Sequence, residues 1–130
     1  MALVCDASAL VALLVDGGES GEWAAATVIG HELIAPHLIM FEVANILRRH
    51  ELAGLVSADQ AAQAHRDLLD LAIDLWPYEA VATRVWELRR NLSTSDAAYV
   101  ATAEEAGVGL VTLDQRIGRA PSLRCDVLSP

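Results

Sequence analysis

The sequence predicts an α/β protein in which helices cover both faces of a parallel sheet, giving three layers. Short apolar runs alternate with helical patterns along the whole chain, as is typical of parallel strands joined by helical crossovers. The first run, residues 2–5, is too short for a helix and contains no polar residue, which indicates a strand buried on both faces. Asp6 follows this strand directly. We therefore expect a carboxylate at the edge of the sheet where open α/β folds bind ligands.

Five strands and six helices account for most of the chain. Pro36 and Pro77 each follow a short apolar run and mark the ends of the second and third strands. The third helix carries Ile39, Val43 and Ile46 at helical spacing, which gives it one apolar face. The predicted strands are residues 2–5, 33–35, 72–76, 109–112 and 125–128, and the predicted helices are residues 7–15, 21–29, 38–53, 57–71, 78–90 and 95–106, with a helical turn at 114–118.

Capping residues and glycines set the predicted helix boundaries. Ser20 is the expected N-cap of the second helix, and Gly54 is the expected end of the third. Ser57 and Gln60 have the spacing of a capping box at the start of the fourth helix. The sixth helix is rich in alanine, so it can lie close against the sheet, and Gly107 ends it.

The length of 130 residues predicts a single domain over residues 1–130, with enough chain for a substantial core. No apolar run approaches the roughly 18 to 20 residues of a membrane span, and no targeting pattern precedes the first strand. We therefore expect a cytoplasmic protein with no membrane contact. The two cysteines, Cys5 and Cys125, lie in apolar surroundings and are expected to be buried free thiols.

The formal charge is −9, and all nine basic residues are arginine. An acidic domain is in general a poor nucleic-acid binder, because Lys and Arg supply the affinity for phosphate. That argument fails if the excess acid forms a metal site, since a bound cation inverts the local field. The absence of lysine is more informative, because it excludes mechanisms that need a catalytic or phosphate-binding lysine.

Four acidic residues occupy positions that share one edge of the predicted sheet. Asp6 and Asp114 follow the first and fourth strands, Asp96 lies at the start of the sixth helix, and Glu42 lies one turn into the third. In a parallel sheet the strands end, and the returning helices begin, at the same edge. Four carboxylates crowded there repel one another unless a cation lies among them. Each acid alone could be a helix cap or a first-turn charge, but four at one edge indicate a shared metal site.

The carboxylate oxygens predict the metal and the class of reaction. Hard oxygen ligands of this kind suit Mg²⁺ or Mn²⁺. One such ion, or two about 4 Å apart, activates water and stabilises the departing oxygen of a phosphodiester. The sequence does not choose between the two metals or between one ion and two.

Three segments together resemble a known family. VCDASALVALL at residues 4–14, FEVANILRR at 41–49 and TSDAAYVATAEEAGVGLVTLD at 94–114 are similar to the PIN domain, and specifically to the VapC-type toxins of bacterial toxin–antitoxin pairs. The resemblance covers essentially the whole chain, and the four acids have the order and spacing of the family. Each segment alone is a weak signal, whereas the set is specific.

This resemblance implies a fold and an activity. The expected fold is a five-stranded parallel sheet in the order 3-2-1-4-5, and the expected activity is that of a metal-dependent endoribonuclease that leaves 5′-phosphate and 3′-hydroxyl ends. The catalytic metal ligands would be Asp6, Glu42, Asp96 and Asp114, the last as a ligand of a second ion or through water. The expected partners are RNA, a second copy in a homodimer, and a VapB-type antitoxin that places an Arg or Lys among the carboxylates.

Polar residues near the acids are candidates for supporting roles. Ser8 and Thr94 each lie two residues from an acid and fit hydrogen-bonding roles behind the metal ligands, although both also fit plain helix caps. Asn45 lies one turn after Glu42 and could orient a ligand or contact substrate. Arg116 follows Asp114 by two residues and could bind RNA phosphate, with a salt bridge as the simpler interpretation. The same two interpretations apply to Arg119, whereas Arg48 and Arg49 either contact phosphate or are solvated partners of the dipole at the end of the third helix.

Two other function classes are consistent with acids at strand ends. Phosphotransfer proteins are disfavoured, because receiver domains need a lysine that this chain lacks and haloacid-type phosphatases need a second Asp where Ser8 stands. The remaining alternative is a catalytically inactive PIN module that serves as a binding scaffold. The presence of all four acids argues for a working site.

Overall fold

The computed structural model describes residues 1–130 and contains one five-stranded parallel sheet with the strand order β3-β2-β1-β4-β5. The order that the family resemblance implied is therefore confirmed. The strands are β1 (Ala2–Cys5), β2 (Glu32–Pro36), β3 (Ile73–Trp76), β4 (Leu110–Val111) and β5 (Val127–Leu128). The helices are α1 (Ala7–Val15), α2 (Glu19–Val28), α3 (Leu38–Leu52), α4 (Ala58–Asp70), α5 (Ala82–Glu87) and α6 (Thr94–Ala106), with 3₁₀ turns at Tyr78–Ala80 and Ile117–Arg119.

Strand β1 lies at the centre of the sheet, as its unbroken apolar sequence predicts. It pairs with β2 on one side, where Leu3 lies opposite Leu33, and with β4 on the other, where Cys5 lies opposite Val111. All strand pairs are parallel. Because their carboxyl ends share one edge, the residues that follow β1 and β4 are brought close together.

The helices form two groups around the sheet. Helix α1 contacts α2, α3 and α4, and α3 contacts α4; α5 packs on α6, which lies across β1, β2 and β4. The middle of α6 is buried from Ala97 to Ala103, and four of those residues are alanine, so the helix approaches the strands closely. This arrangement confirms the three-layer α/β/α architecture. No helix is long and apolar enough to cross a membrane.

The single helix predicted over residues 78–90 is wrong. The chain instead forms the 3₁₀ turn at Tyr78–Ala80 and the short helix α5, and it departs from helical geometry at Val81, where φ is −127°. Val81 and Val85 are both buried and are four residues apart. That spacing is the same for a continuous helix and a broken one, so the apolar pattern did not reveal the break.

Two helix starts also differ from the prediction. Helix α2 begins at Glu19 with Gly18 as its N-cap, so Ser20 lies inside the helix. The Asp16 side chain accepts a hydrogen bond from the Gly18 amide at 2.7 Å and closes a local turn that starts the helix early. Helix α6 begins at Thr94, and Ser93 caps it by accepting from the Asp96 amide. Thr94 is therefore not the cap.

The other boundary signals agree with the structure. Ser57 and Gln60 form the predicted capping box of α4. Gly54 and Gly107 both adopt positive φ angles, and Gly107 caps α6 as predicted. Strands β4 and β5 have two residues each, shorter than predicted. Both cysteines are free, as expected; Cys5 is buried, whereas Cys125 is only half-buried.

Candidate active site

The four acids singled out by sequence line one cavity at the carboxyl edge of the sheet. The cavity has a volume of about 210 Å³. Elements from across the chain position the acids: the ends of β1 and β4, the second turn of α3 and the first turn of α6. The residues that line the cavity are Asp6, Ala7, Ser8, Glu42, Asn45, Ile46, Arg49, Asp96, Tyr99 and Asp114. The fold therefore brings all four predicted acids together.

Asp6 is the most buried of the four and is only 6% exposed. Its backbone amide donates to the Val111 carbonyl at 3.0 Å, which fixes Asp6 beside the end of β4. Its Oδ1 accepts from the Ser8 hydroxyl at 2.6 Å and from the Ala9 amide at 3.0 Å, and its Oδ2 accepts from the Thr112 hydroxyl at 2.5 Å. Asp6 is thus both the N-cap of α1 and a carboxylate held in one orientation.

Thr112 is a site residue that sequence reasoning missed. Its buried hydroxyl donates to Asp6 and accepts from the Asp114 amide at 2.9 Å, so it joins two of the acids. Ser8 makes a parallel link, because its hydroxyl donates to Asp6 and accepts from the Leu113 amide at 3.0 Å. The available signal was spacing: Thr112 lies two residues before Asp114, and Ser8 lies two residues after Asp6.

Tyr99 is the second residue that the sequence did not assign to the site. It is 2% exposed and lies one turn after Asp96 on α6. Its hydroxyl donates to Glu42 Oε1 at 2.5 Å. Burial and the hydrogen bond to the Glu42 carboxylate raise the pKa of Tyr99, so the phenol stays protonated and remains a donor. Tyr99 therefore holds Glu42 through one of its carboxylate oxygens.

Asp96 is subject to the mutual repulsion that crowding of the acids predicts. Burial is the main cause that raises the pKa of its carboxyl, and the charges of Asp114 and Asp6 raise it further. The hydrogen bond from Ser93 and the charge of Arg116 act in the opposite direction. An acid with a raised pKa beside two other acids indicates a region of negative potential that favours a bound cation.

Asp114 is paired with an arginine of its own loop. The Arg116 guanidinium donates from Nε to Oδ1 at 3.0 Å and from Nη2 to Oδ2 at 2.8 Å, and the Arg116 amide donates to Oδ1 at 3.0 Å. These contacts hold the pKa of Asp114 below its usual range. The Arg116 side chain is 85% exposed. One of the four acids is therefore paired with an exposed arginine.

The remaining candidates divide between the cavity and other surfaces. Asn45 and Arg49 line the cavity. Thr94 is exposed, lines no part of it and makes no side-chain hydrogen bond, so the structure does not bring this predicted residue to the site. Arg48 lines a separate groove between α3 and α4. Arg119 is exposed and lies outside the cavity.

The chemistry of the donors fits a divalent cation, but their present arrangement does not form a ready ligand set. Four carboxylates and the side-chain oxygens of Ser8 and Asn45 are hard donors of the kind that Mg²⁺ and Mn²⁺ prefer. No three His, Cys, Asp or Glu side chains are already grouped to hold an ion. Arg116 donates to both oxygens of Asp114, so it competes with a bound cation for this acid.

The comparison with family models decides the classification. The model described as the PIN domain matches residues 3–123. The chain belongs to the PIN-domain family. The relatives of this PIN domain include the ribonuclease VapC9 of Mycobacterium tuberculosis, which is 35% identical over 125 residues, covering 96% of this chain and 95% of that relative. The resemblance to VapC-type proteins is thereby confirmed.

Solved structures agree with the fold of this PIN domain. Mycobacterium tuberculosis VapC20, described as a sarcin–ricin loop cleaving toxin, matches with a TM-score of 0.69 and 16% identity, over 91% of this chain and 94% of that one. VapBC2 from Rickettsia felis, solved bound to a DNA fragment from its promoter, matches with a TM-score of 0.68 and 13% identity, over 98% of both chains. At these identities the similarity establishes a shared architecture.

Proposed function

We propose that this chain is a metal-dependent endoribonuclease and the toxin of a type II toxin–antitoxin pair. The observation that carries the proposal is the convergence of Asp6, Glu42, Asp96 and Asp114 on one cavity from four separate elements. The VapC ribonucleases that are 35% identical over nearly the whole chain support RNA as the substrate. The four acids would hold one or two ions of Mg²⁺ or Mn²⁺.

The residues of the chain prepare the site for hydrolysis of a phosphodiester. When bound, the cation activates the attacking water and stabilises the charge that develops on the departing 3′ oxygen. Ser8 and Thr112 keep the Asp6 carboxylate in one orientation, and Tyr99 does the same for Glu42 while leaving Oε2 unoccupied. Asn45 and Arg49 line the rim, where they contact the RNA backbone. The products carry 5′-phosphate and 3′-hydroxyl ends.

The surroundings of the site favour a protein inhibitor of VapB type. The acidic cavity adjoins an apolar groove of about 430 Å³, and the two share Ser8, Ile46 and Arg49. The groove is lined by Val11, Ala12, Val15, Leu55, Val56 and Leu113. A peptide with apolar side chains for the groove and an Arg or Lys for the carboxylates would occupy both. The toxin acts as a homodimer of single-domain chains of residues 1–130 in the cytoplasm, where its RNA substrate is.

The test is the loss of cleavage when single carboxylates are neutralised. Asp6→Asn and Asp96→Asn should each abolish Mg²⁺-dependent cleavage of cellular RNA while unfolding remains cooperative. Asp70→Asn is the matched control, because Asp70 is an exposed acid at the end of α4, outside the cavity. This variant should cleave RNA at the wild-type rate. Full cleavage by both site variants would reject the proposal. If the wild-type protein binds no Mn²⁺ by calorimetry, the inactive scaffold module is the correct alternative.

A further inference from the structure

Arg116 and Asp114 form an ion pair on the loop that follows β4, and one member of the pair is almost fully exposed. The guanidinium engages both oxygens of Asp114 through Nε and Nη2, while its Nη1 has no partner. The Arg116 side chain is 85% exposed, compared with 26% for Asp114. An ion pair with one member in water is weak, because solvent screens it. Arg116 can therefore exchange Asp114 for another anion at little cost.

A second cavity shows where that anion would lie. It has a volume of about 260 Å³, and it shares Asp96 and Asp114 with the acidic cavity. Its other lining residues are Asn91, Leu92, Ser93, Arg116 and Ile117. Asn91, Ser93 and Arg116 provide amide, hydroxyl and guanidinium donors on the side of the acids away from α3. Donors of these types bind phosphate oxygens, and a planar guanidinium binds them through two hydrogen bonds.

We propose that Arg116 transfers from Asp114 to a phosphate of the RNA when substrate binds, and that this transfer frees Asp114 to ligate a divalent cation. The phosphate is the one next to the cleaved bond, seated in the cavity of Asn91, Ser93 and Arg116. This inference rests on the proposed ribonuclease function and adds a role for a residue of the loop after β4. The transfer makes Asp114 a better cation ligand when RNA is present, so Arg116 is a positioning residue for Asp114.

The transfer predicts the direction of coupling between the two ligands. In the protein without RNA, Arg116 competes with the cation for Asp114, so removal of the arginine should tighten cation binding. With RNA bound, the arginine has moved to the phosphate and no longer competes. RNA and the cation therefore favour each other's binding through the same side chain, and this coupling is reciprocal.

Calorimetric titration with Mn²⁺ in the absence of RNA tests whether Arg116 competes with the cation for Asp114. Arg116→Ala should bind Mn²⁺ about threefold more tightly than wild type, which is the factor that an exposed ion pair sets. Arg119→Ala removes the same charge from the same loop, but Arg119 forms no ion pair with an acid. This variant should therefore leave the Mn²⁺ affinity unchanged. In an Asp114→Asn background, Arg116→Ala should have no effect. Equal Mn²⁺ affinities for wild type and Arg116→Ala, or an equal gain for Arg119→Ala, would overturn the inference.

The transfer of Arg116 to an RNA phosphate is tested by the side-chain NMR signal of Arg116 Nε–H. This signal is identified by its loss in Arg116→Lys. A short mixed-sequence single-stranded RNA, added in EDTA to prevent cleavage, should shift this signal, whereas that of Arg119 should stay in place. Signals that move equally, or an Arg116 signal that does not move, would overturn the inference. Failure of the proposed function has a different signature, because then neither the wild type nor any variant would bind Mn²⁺.

Discussion

At the scale of single residues, Thr112 is the clearest test of how the acids are positioned. Its hydroxyl is fully buried and joins the Asp6 carboxylate to the Asp114 amide. Thr112→Val keeps the shape but removes the donor, so it should lower Mn²⁺ affinity and the RNA cleavage rate by about 10-fold to 100-fold, as is usual for a partner of a metal ligand. Thr112→Ser keeps the hydroxyl and should restore most of both. A cleavage rate for Thr112→Val equal to wild type would show that Asp6 needs no such support.

The sequence identified the acids but not the residues that hold them. Asp6 and Asp114 follow short apolar runs, and strand ends are visible in a sequence. The bonds from Thr112 to Asp6 and from Tyr99 to Glu42 join residues 106 and 57 positions apart. Such pairs depend on the register of the strands and the rotation of α6 about its axis, which no local pattern records. The prediction of Thr94 fails for a different reason, because the identity of the capping residue depends on where α6 begins.

At the scale of elements, the close packing of α1 against α2 depends on one glycine. A Cβ added to the buried Gly21 would overlap the carbonyl oxygen of Asp16 and lie 2.9 Å from that of Ala12. Gly21→Ala should therefore lower the free energy of unfolding by about 1–3 kcal/mol, the usual cost of overpacking. Gly17→Ala is the control, because no atom lies within 4 Å of its Cβ position. Urea denaturation measures both, and equal stabilities would contradict the expected clash.

Elements were predictable where a single local signal decides them. The capping box of Ser57 and Gln60 and the positive φ of Gly107 each depend on a few adjacent residues. The break at Val81 and the early start of α2 are not decided by such local signals. Each requires knowledge of a competing contact, namely the burial of Val81 and the turn closed by the Asp16 side chain. Patterns of apolar residues specify which face is buried, but they do not specify whether the backbone between two buried positions stays helical.

At the scale of the whole molecule, the parallel sheet followed from the alternation of strands and helices, whereas the order 3-2-1-4-5 did not. Periodicity gives the number and type of elements, and crossover rules leave several strand orders open. The order was instead what the family resemblance implied. The single-domain assignment stays a prediction from length.

The site also sets a limit on the stability of the whole fold. Burial, and then the charges of Asp114 and Asp6, raise the pKa of Asp96, against the opposing effects of Ser93 and Arg116. The folded protein thus binds this proton more tightly than the unfolded chain, so stability falls as pH rises from the unfolded pKa of about 3.9 through the higher pKa of the folded protein. Asp96→Asn should therefore raise Tm in EDTA at pH 7, by an amount that shrinks as pH falls toward 4.

Mg²⁺ should reverse this difference, because a ligand that binds only the folded state stabilises it. The Tm of the wild type should rise with added Mg²⁺, and that of Asp96→Asn should rise less. Thermal unfolding at matched ionic strength measures both effects. If Asp96→Asn has a lower Tm than wild type in EDTA at pH 7, burial and the neighbouring carboxylates do not destabilise the charged Asp96 as proposed. The acids would then be a source of stability in the free protein, and the cation would not be needed to offset their charge.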